Sequence, residues 1–216
     1  MKIESYKLII LHGWKHDKSK WDGFIQYFKP DEVIVFDLPG FGEEKLVDNN
    51  WGIPEYSAWV KKKIEALGES NIILLGHSFG GRIAGSIASE NPAWLKGLIL
   101  YGSPLLYRPA ATIRIKIKIA KLLKGLGFSK TNEDMMYPIF KRVVTFDETK
   151  LLPKITVPTL LLWGENDMEV PVSIAEEAHA LVQGSQLIIM QEVGHNAHLD
   201  SPNLFCGIIK KFINDL

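Results

Sequence analysis

Apolar residues gather into short unbroken runs at positions 8–11, 33–36, 72–75, 98–101, 159–163 and 187–190, and no run contains a charged residue. Such runs are too short for a buried helix. An element that is apolar at successive positions must be covered on both faces, as a strand in a parallel sheet is. Between most of these runs, apolar positions recur at helical spacing, over residues 18–28, 54–67, 79–90 and 172–182, with 201–215 closing the chain. The alternation predicts a three-layer α/β fold in which a mostly parallel sheet of about six strands carries helices on both faces.

The rhythm breaks once. More than fifty residues separate the run ending at Tyr101 from the run beginning at Thr159, too many for a simple crossover. Within that interval, ATIRIKIKIAKLLKGLGF places Ile115, Ile119, Leu122 and Leu126 on one helical stripe, although residues 113–119 also alternate as a strand would. The later residues keep helical spacing, so a helix is expected. The reading is a single domain over 1–216, with a core of about 1–103 and 150–216 and a helical cap insert of about 104–149 over the carboxyl edge of the sheet.

Composition changes this picture little. A chain of 216 residues, 46% hydrophobic and 23% charged, is ordinary for a soluble globular enzyme, and no apolar run nears the roughly 18 residues of a membrane span. Glu4 and Lys7 interrupt the stretch where a secretion signal would be apolar, so a cytoplasmic location is expected. Cys206 is the only cysteine, which excludes an internal disulfide and any multi-cysteine metal site and suggests a small buried hydrophobe. Lys plus Arg balance Asp plus Glu at 25 each, giving no global argument for nucleic acid or a membrane. Charge is informative only locally. Residues 105–126 hold six basic side chains (Arg108, Arg114, Lys116, Lys118, Lys121, Lys124) and no acid. Beside an active-site entrance, that stretch suits an anionic substrate, an acidic carrier protein bearing the acyl group, or an anionic lipid surface. A solvated helix face suits the same count.

The stretch NIILLGHSFGGRIAG, residues 71–85, runs from a strand pattern through Gly-X-Ser-X-Gly into small residues of helical character. A serine hydroxyl becomes a nucleophile only when a base takes its proton and the backbone stands clear of it. On a sharp strand-to-helix turn, Ser78 meets the second need if Gly76 and Gly80 remove colliding side chains, and the Phe79 N–H then points toward developing negative charge. In an open parallel sheet the active residues collect beyond the carboxyl ends of the strands. Loops there carry His12-Gly13-Trp14, Gly76-His77-Ser78, Gly164-Glu165-Asn166-Asp167 and Glu192-Val193-Gly194-His195. A serine, an acid and a histidine thus follow one another in chain order, each just past a strand.

With LHGW (11–14), FDLPGFG (36–42), GHSFGG (76–81), VPTLLLWGENDMEVP (157–171) and VGHNAHLDSP (193–202), the chain resembles the α/β-hydrolase superfamily nearly end to end. The resemblance implies Ser78 as nucleophile, Asp167 as acid, His195 as base, and the backbone N–H groups of Trp14 and Phe79 as oxyanion hole. It implies a small-molecule carboxylic ester as substrate, cleaved through an acyl-enzyme without a cofactor. Serine at position 78 argues against the haloalkane dehalogenase and epoxide hydrolase branches, which use aspartate there. Thioesterases, carbon–carbon bond hydrolases and lyases share the triad and stay open, as does a non-catalytic ligand-binding member of the fold. The sequence departs from the family at Lys15 and Glu43, where glycine and serine are common, and leaves little room before Leu8 for the usual leading antiparallel strands.

Tyr107, Met136 and Phe140 of the cap are candidate substrate contacts, with Met135, Tyr137 and Ile139 beside them. Glu165 and Glu169 are the rivals of Asp167 for the acid role. His77 is expected to pack beside the elbow, His12 to brace the oxyanion loop, His198 to make a structural hydrogen bond, and His16 and His179 to lie on the surface. No HExxH or carboxylate cluster is present, so no metal site is expected.

Overall fold

The computed structural model describes residues 5–46, 48–108 and 130–216. Each apolar run is a strand: β1 (Lys7–Leu11), β2 (Val33–Phe36), β3 (Ile72–His77), β4 (Leu95–Tyr101), β5 (Thr159–Gly164) and β6 (Gln186–Met190). All pair in parallel in the order β2-β1-β3-β4-β5-β6, and no antiparallel strand precedes β1 among the described residues. Burial on both faces holds for the inner strands. The edge strands β2 and β6 have one neighbour each and are largely half-buried, which the unbroken apolar runs did not distinguish.

The period-two pleat sends alternate residues to two cores. Ile9, Leu11, Leu74, Leu98, Leu100, Leu161 and Trp163 face one, where they meet α2 (Ile53–Glu65), α3 (Phe79–Ala88) and α5 (Val172–Leu181). Leu8, Ile10, Ile73, Leu75, Ile99, Tyr101, Leu160 and Leu162 face the other, where Trp21 and Phe24 of the β1–β2 connection meet Phe205, Cys206, Ile209 and Phe212 of α7 (Pro202–Asn214). Cys206 is 4% exposed and packs as a hydrophobe.

Two segments depart from the periodicity. The helix expected over 18–28 is a 3₁₀ turn, Lys18–Trp21, followed by a single turn α1 (Asp22–Ile25), started by Asp17 accepting the Ser19 N–H. A further short helix, α6 (Ala197–Asp200), follows His195 and is too brief to show a period. Of the expected cap, the described part is α4 (Lys130–Thr145), which buries Ile139 and Val143. The helix expected near 113–126, with Arg114, Lys116, Lys118, Lys121 and Lys124, lies outside the described residues, as does the Met135 side chain. Arg108 pairs with Glu177 on α5. No helix of the described residues is long and apolar enough to cross a membrane.

Candidate active site

Ser78 stands between β3 and α3 at φ 51° and ψ −110°, a strained conformation for a residue with a Cβ. The surroundings hold it there. Its N–H donates to the Tyr101 carbonyl (2.9 Å), and Gly80 N–H donates to the His12 carbonyl (3.1 Å). A Cβ on Gly80 would stand 2.2 Å from the Leu11 carbonyl oxygen, and one on Gly76 would stand 2.4 Å from the Gly80 carbonyl oxygen. Glycine at both positions is therefore the condition for β1, β3 and α3 to meet at the turn.

Asp167 and His195 come together from the loops after β5 and β6. His195 Nδ1–H donates to Asp167 Oδ2 at 2.7 Å, and Asp167 Oδ1 accepts the N–H groups of Glu169 and Val170, both at 2.8 Å. A carboxylate held at both oxygens fixes the ring's orientation and tautomer, leaving Nε2 with its lone pair. Glu165 is engaged elsewhere, accepting the Glu192 N–H, whereas Glu169 Oε2 lies 3.8 Å from His195 Nε2, the opposite side of the ring. The His195 carbonyl accepts from the Tyr101 hydroxyl and from His77 Nε2.

Ser78 and His195 line one cavity of about 330 Å³, shared with Trp14 and Phe79. Among the described residues no acceptor takes the N–H of either Trp14 or Phe79. The loop bearing Trp14 is fixed by His12, whose Nδ1–H donates to Gly13 O (2.8 Å) while Nε2 accepts the Leu38 N–H (3.0 Å). Burial lowers the His12 pKa to about 4, consistent with that neutral ring. Lys15 takes a left-handed φ of 62°, which glycine would adopt freely. Glu43 donates its backbone N–H to Asp37 Oδ2 (3.0 Å), and its side chain pairs with Lys18.

Of the three candidate substrate contacts, Phe140 lines the cavity and packs on Trp14, 5.2 Å between ring centroids. Tyr107 and Met136 do not line it: Tyr107 is tied by its N–H to Asp147, and Met136 lies against Gly40. The apolar wall comes instead from Leu106, Val143, Val144, Val170 and Ile174, with Arg82 among them. Arg82 is 2% exposed and donates to the Phe146 carbonyl; burial lowers its pKa to about 10 against the pull of Glu148. The Glu148 carboxyl makes no hydrogen bond among the described residues, and burial raises its pKa well above the ordinary value.

A family model described as the alpha/beta hydrolase fold matches residues 6–127, more than half of the chain, and a second, described as TAP-like protein, matches 139–213. The chain belongs to the α/β-hydrolase fold family. Epoxide hydrolase 4 of Homo sapiens is 26% identical over 96% of this chain and 72% of its own length. The pimeloyl-[acyl-carrier protein] methyl ester esterase of Legionella pneumophila is 25% identical over 95% of this chain and 94% of its own. The crystal structure of MGS-M2, an alpha/beta hydrolase enzyme from a Medee basin deep-sea metagenome library, superposes with a TM-score of 0.84 at 21% identity, over 98% of this chain and 90% of that one.

Two histidines of this α/β hydrolase lie where the sequence did not place them. His198 makes no side-chain hydrogen bond among the described residues; it is 1% exposed and stacks on Trp21 at 4.2 Å. His16 is not a surface residue but half-buried in the cavity wall, its ring 5.8 Å from that of His77. His77 packs beside the elbow on Tyr101, and His179 is exposed, both as expected.

Proposed function

We propose that the chain is a serine hydrolase that cleaves a small or medium carboxylic ester through an acyl-enzyme, a carboxylesterase. The observation that supports this best is the Asp167–His195 hydrogen bond directing Nε2 toward the cavity that Ser78 also lines. Ser78 attacks the ester carbonyl as His195 Nε2 takes its proton. The oxyanion is received by the Trp14 and Phe79 N–H groups, and Asp167 stabilises the imidazolium. His195 then protonates the leaving alcohol, and water, deprotonated by the same nitrogen, releases the acid. No step needs a cofactor. A relative named as a methyl ester esterase agrees with this substrate class.

Arg82 favours a second reading, in which the acyl part carries its own carboxylate. Arg82 is a buried guanidinium in the cavity wall that makes no ion pair within 4.0 Å among the described residues, with Glu148 and Asp147 as its nearest negative charges. This reading also accommodates an acidic carrier protein at the basic stretch 105–126, and a carbon–carbon bond hydrolase, thioesterase or lyase acting on an acid-bearing substrate.

Both readings are tested by a panel of p-nitrophenyl esters, acyl thioesters and carbon–carbon hydrolase substrates, each with and without a terminal carboxylate, at low and high salt. Turnover of esters that disappears in Ser78→Ala is the expected result. Preference for carboxylate-bearing members that is lost in Arg82→Met supports the second reading. Stoichiometric ligand binding without turnover anywhere on the panel points to a binding protein and contradicts the first.

A further inference from the structure

Three histidines outside the Ser78–His195–Asp167 group converge behind the elbow. His16 comes from the loop after β1, His77 from the end of β3 and His198 from α6, and one ring nitrogen of each lies within 4.8 Å of the other two. Among the described residues, His16 Nδ1, His77 Nδ1 and both ring nitrogens of His198 are buried without a hydrogen-bond partner. Leaving one such nitrogen unsatisfied costs about 1–3 kcal/mol, and three rings that each bring one nitrogen within 4.8 Å of the other two can share a single occupant.

The chemistry of that occupant follows from the lone pairs. His77 Nε2 faces the His195 carbonyl, which can only accept, so Nε2 carries the proton and Nδ1 presents a lone pair. Burial keeps His77 neutral and lowers the His198 pKa to about 3, so neither ring has to lose a proton at neutral pH to act as a ligand.

We propose that His16, His77 and His198 form a binding site for one borderline divalent transition-metal ion, Zn²⁺ or Co²⁺ in type. Three imidazoles suit those ions and not Mg²⁺ or Ca²⁺, which take oxygen ligands. Tetrahedral bonds of about 2.0–2.1 Å put ligand nitrogens roughly 3.4 Å apart, so the rings close by up to about an ångström and a half from the observed spread. His198 is held against Trp21, and His77 by its bond to the His195 carbonyl. His16, half-buried on the loop beyond the left-handed Lys15, is the ring that moves. His16 and His77 line the cavity, which gives an ion a way in and leaves its fourth position to water. The His77 Nε2–H bond to a carbonyl is the outer contact that orients a metal-bound histidine, and here that carbonyl belongs to His195.

The test uses the whole chain, stripped of metal with a chelator and titrated with Co²⁺ and Zn²⁺. The expected result is one Co²⁺ per chain with the visible absorption of a tetrahedral site, displacement of that signal by Zn²⁺, and a rise in melting temperature with Zn²⁺ but not Mg²⁺ or Ca²⁺. His16→Ala and His198→Phe each weaken binding by about tenfold or more. His198→Phe keeps a ring against Trp21, and the metal-free melting temperature of each variant reports whether it folds. No stoichiometric binding at micromolar ion, or binding that survives both changes together, overturns the proposal. So does binding that both variants retain and His195→Ala abolishes, which would place the ion between His195 and Glu169.

Discussion

Asp167 lies between two other carboxylates in sequence, and only the loop geometry separates the three. Asp167 alone meets His195 Nδ1, Glu165 is used by the Glu192 N–H, and Glu169 faces the opposite nitrogen. Asp167→Asn should therefore lower kcat by up to ~10⁴, because an amide no longer enforces the tautomer that leaves Nε2 basic. Glu165→Gln should lower kcat far less, because its carboxylate accepts the Glu192 N–H and does not meet the imidazole. Steady-state kinetics of the two variants on one ester decides, and the reverse order of severity would assign the acid to Glu165. At this scale the sequence was a good guide to residues in family motifs and a poor one to residues that meet by topology. Asp167 and His195 are legible because each follows a strand in a recognisable phrase. His16 and His198, 182 positions apart (198 − 16), share no local pattern. Arg82 reads as one more polar position on a helix until the cavity beside it is seen.

The strand–elbow–helix unit β3–Ser78–α3 shows why elements were easier to read than the pocket above them. Its glycines are backbone requirements, and such requirements are visible in sequence because few residues meet them. Gly80→Ala puts a methyl 2.2 Å from the Leu11 carbonyl oxygen, in backbone that cannot yield without parting α3 from β1. The variant should lose more than about 3 kcal/mol of unfolding free energy, as overpacking at its severe end does, or fail to fold. Denaturant unfolding measures it, and a loss below about 1 kcal/mol would mean that the turn is softer than its contacts indicate. The inner strands were legible through their unbroken apolar runs, but full burial failed for β2 and β6 because an edge position is a property of the sheet, not of the strand. On α4, Val143 and Val144 line the cavity while Met136 lies on Gly40, a choice set by how the helix is placed and not by its own period.

Over the whole molecule, several buried histidines tie stability to pH. His12, His77 and His198 all have lowered pKa values through burial, His12 to about 4 and His198 to about 3. Below the ordinary value of about 6.5 the unfolded chain protonates these rings and the folded chain does not, so stability is lost as pH falls. Glu148 has the opposite sign: its raised pKa means that the folded state keeps a proton that the unfolded chain releases above about 4.5. His16, its pKa also lowered by burial, adds to the histidine side, so the unfolded chain binds more protons than the folded one in this range. The unfolding free energy of metal-free protein should therefore rise between about pH 5 and pH 6. His198→Phe should make that rise shallower, and a flat profile in the wild type would show that the rings titrate in the folded chain. Ser78 and His195 line one cavity, with Asp167 bonded to His195, and the proposed mechanism requires the three to act together. Its most direct test is to treat the protein with a fluorophosphonate and locate the adduct by peptide mass mapping. One adduct per chain is expected on Ser78, formed much more slowly in Asp167→Asn and absent in Ser78→Ala. A wild-type adduct on another serine such as Ser103, or none at all, would contradict it.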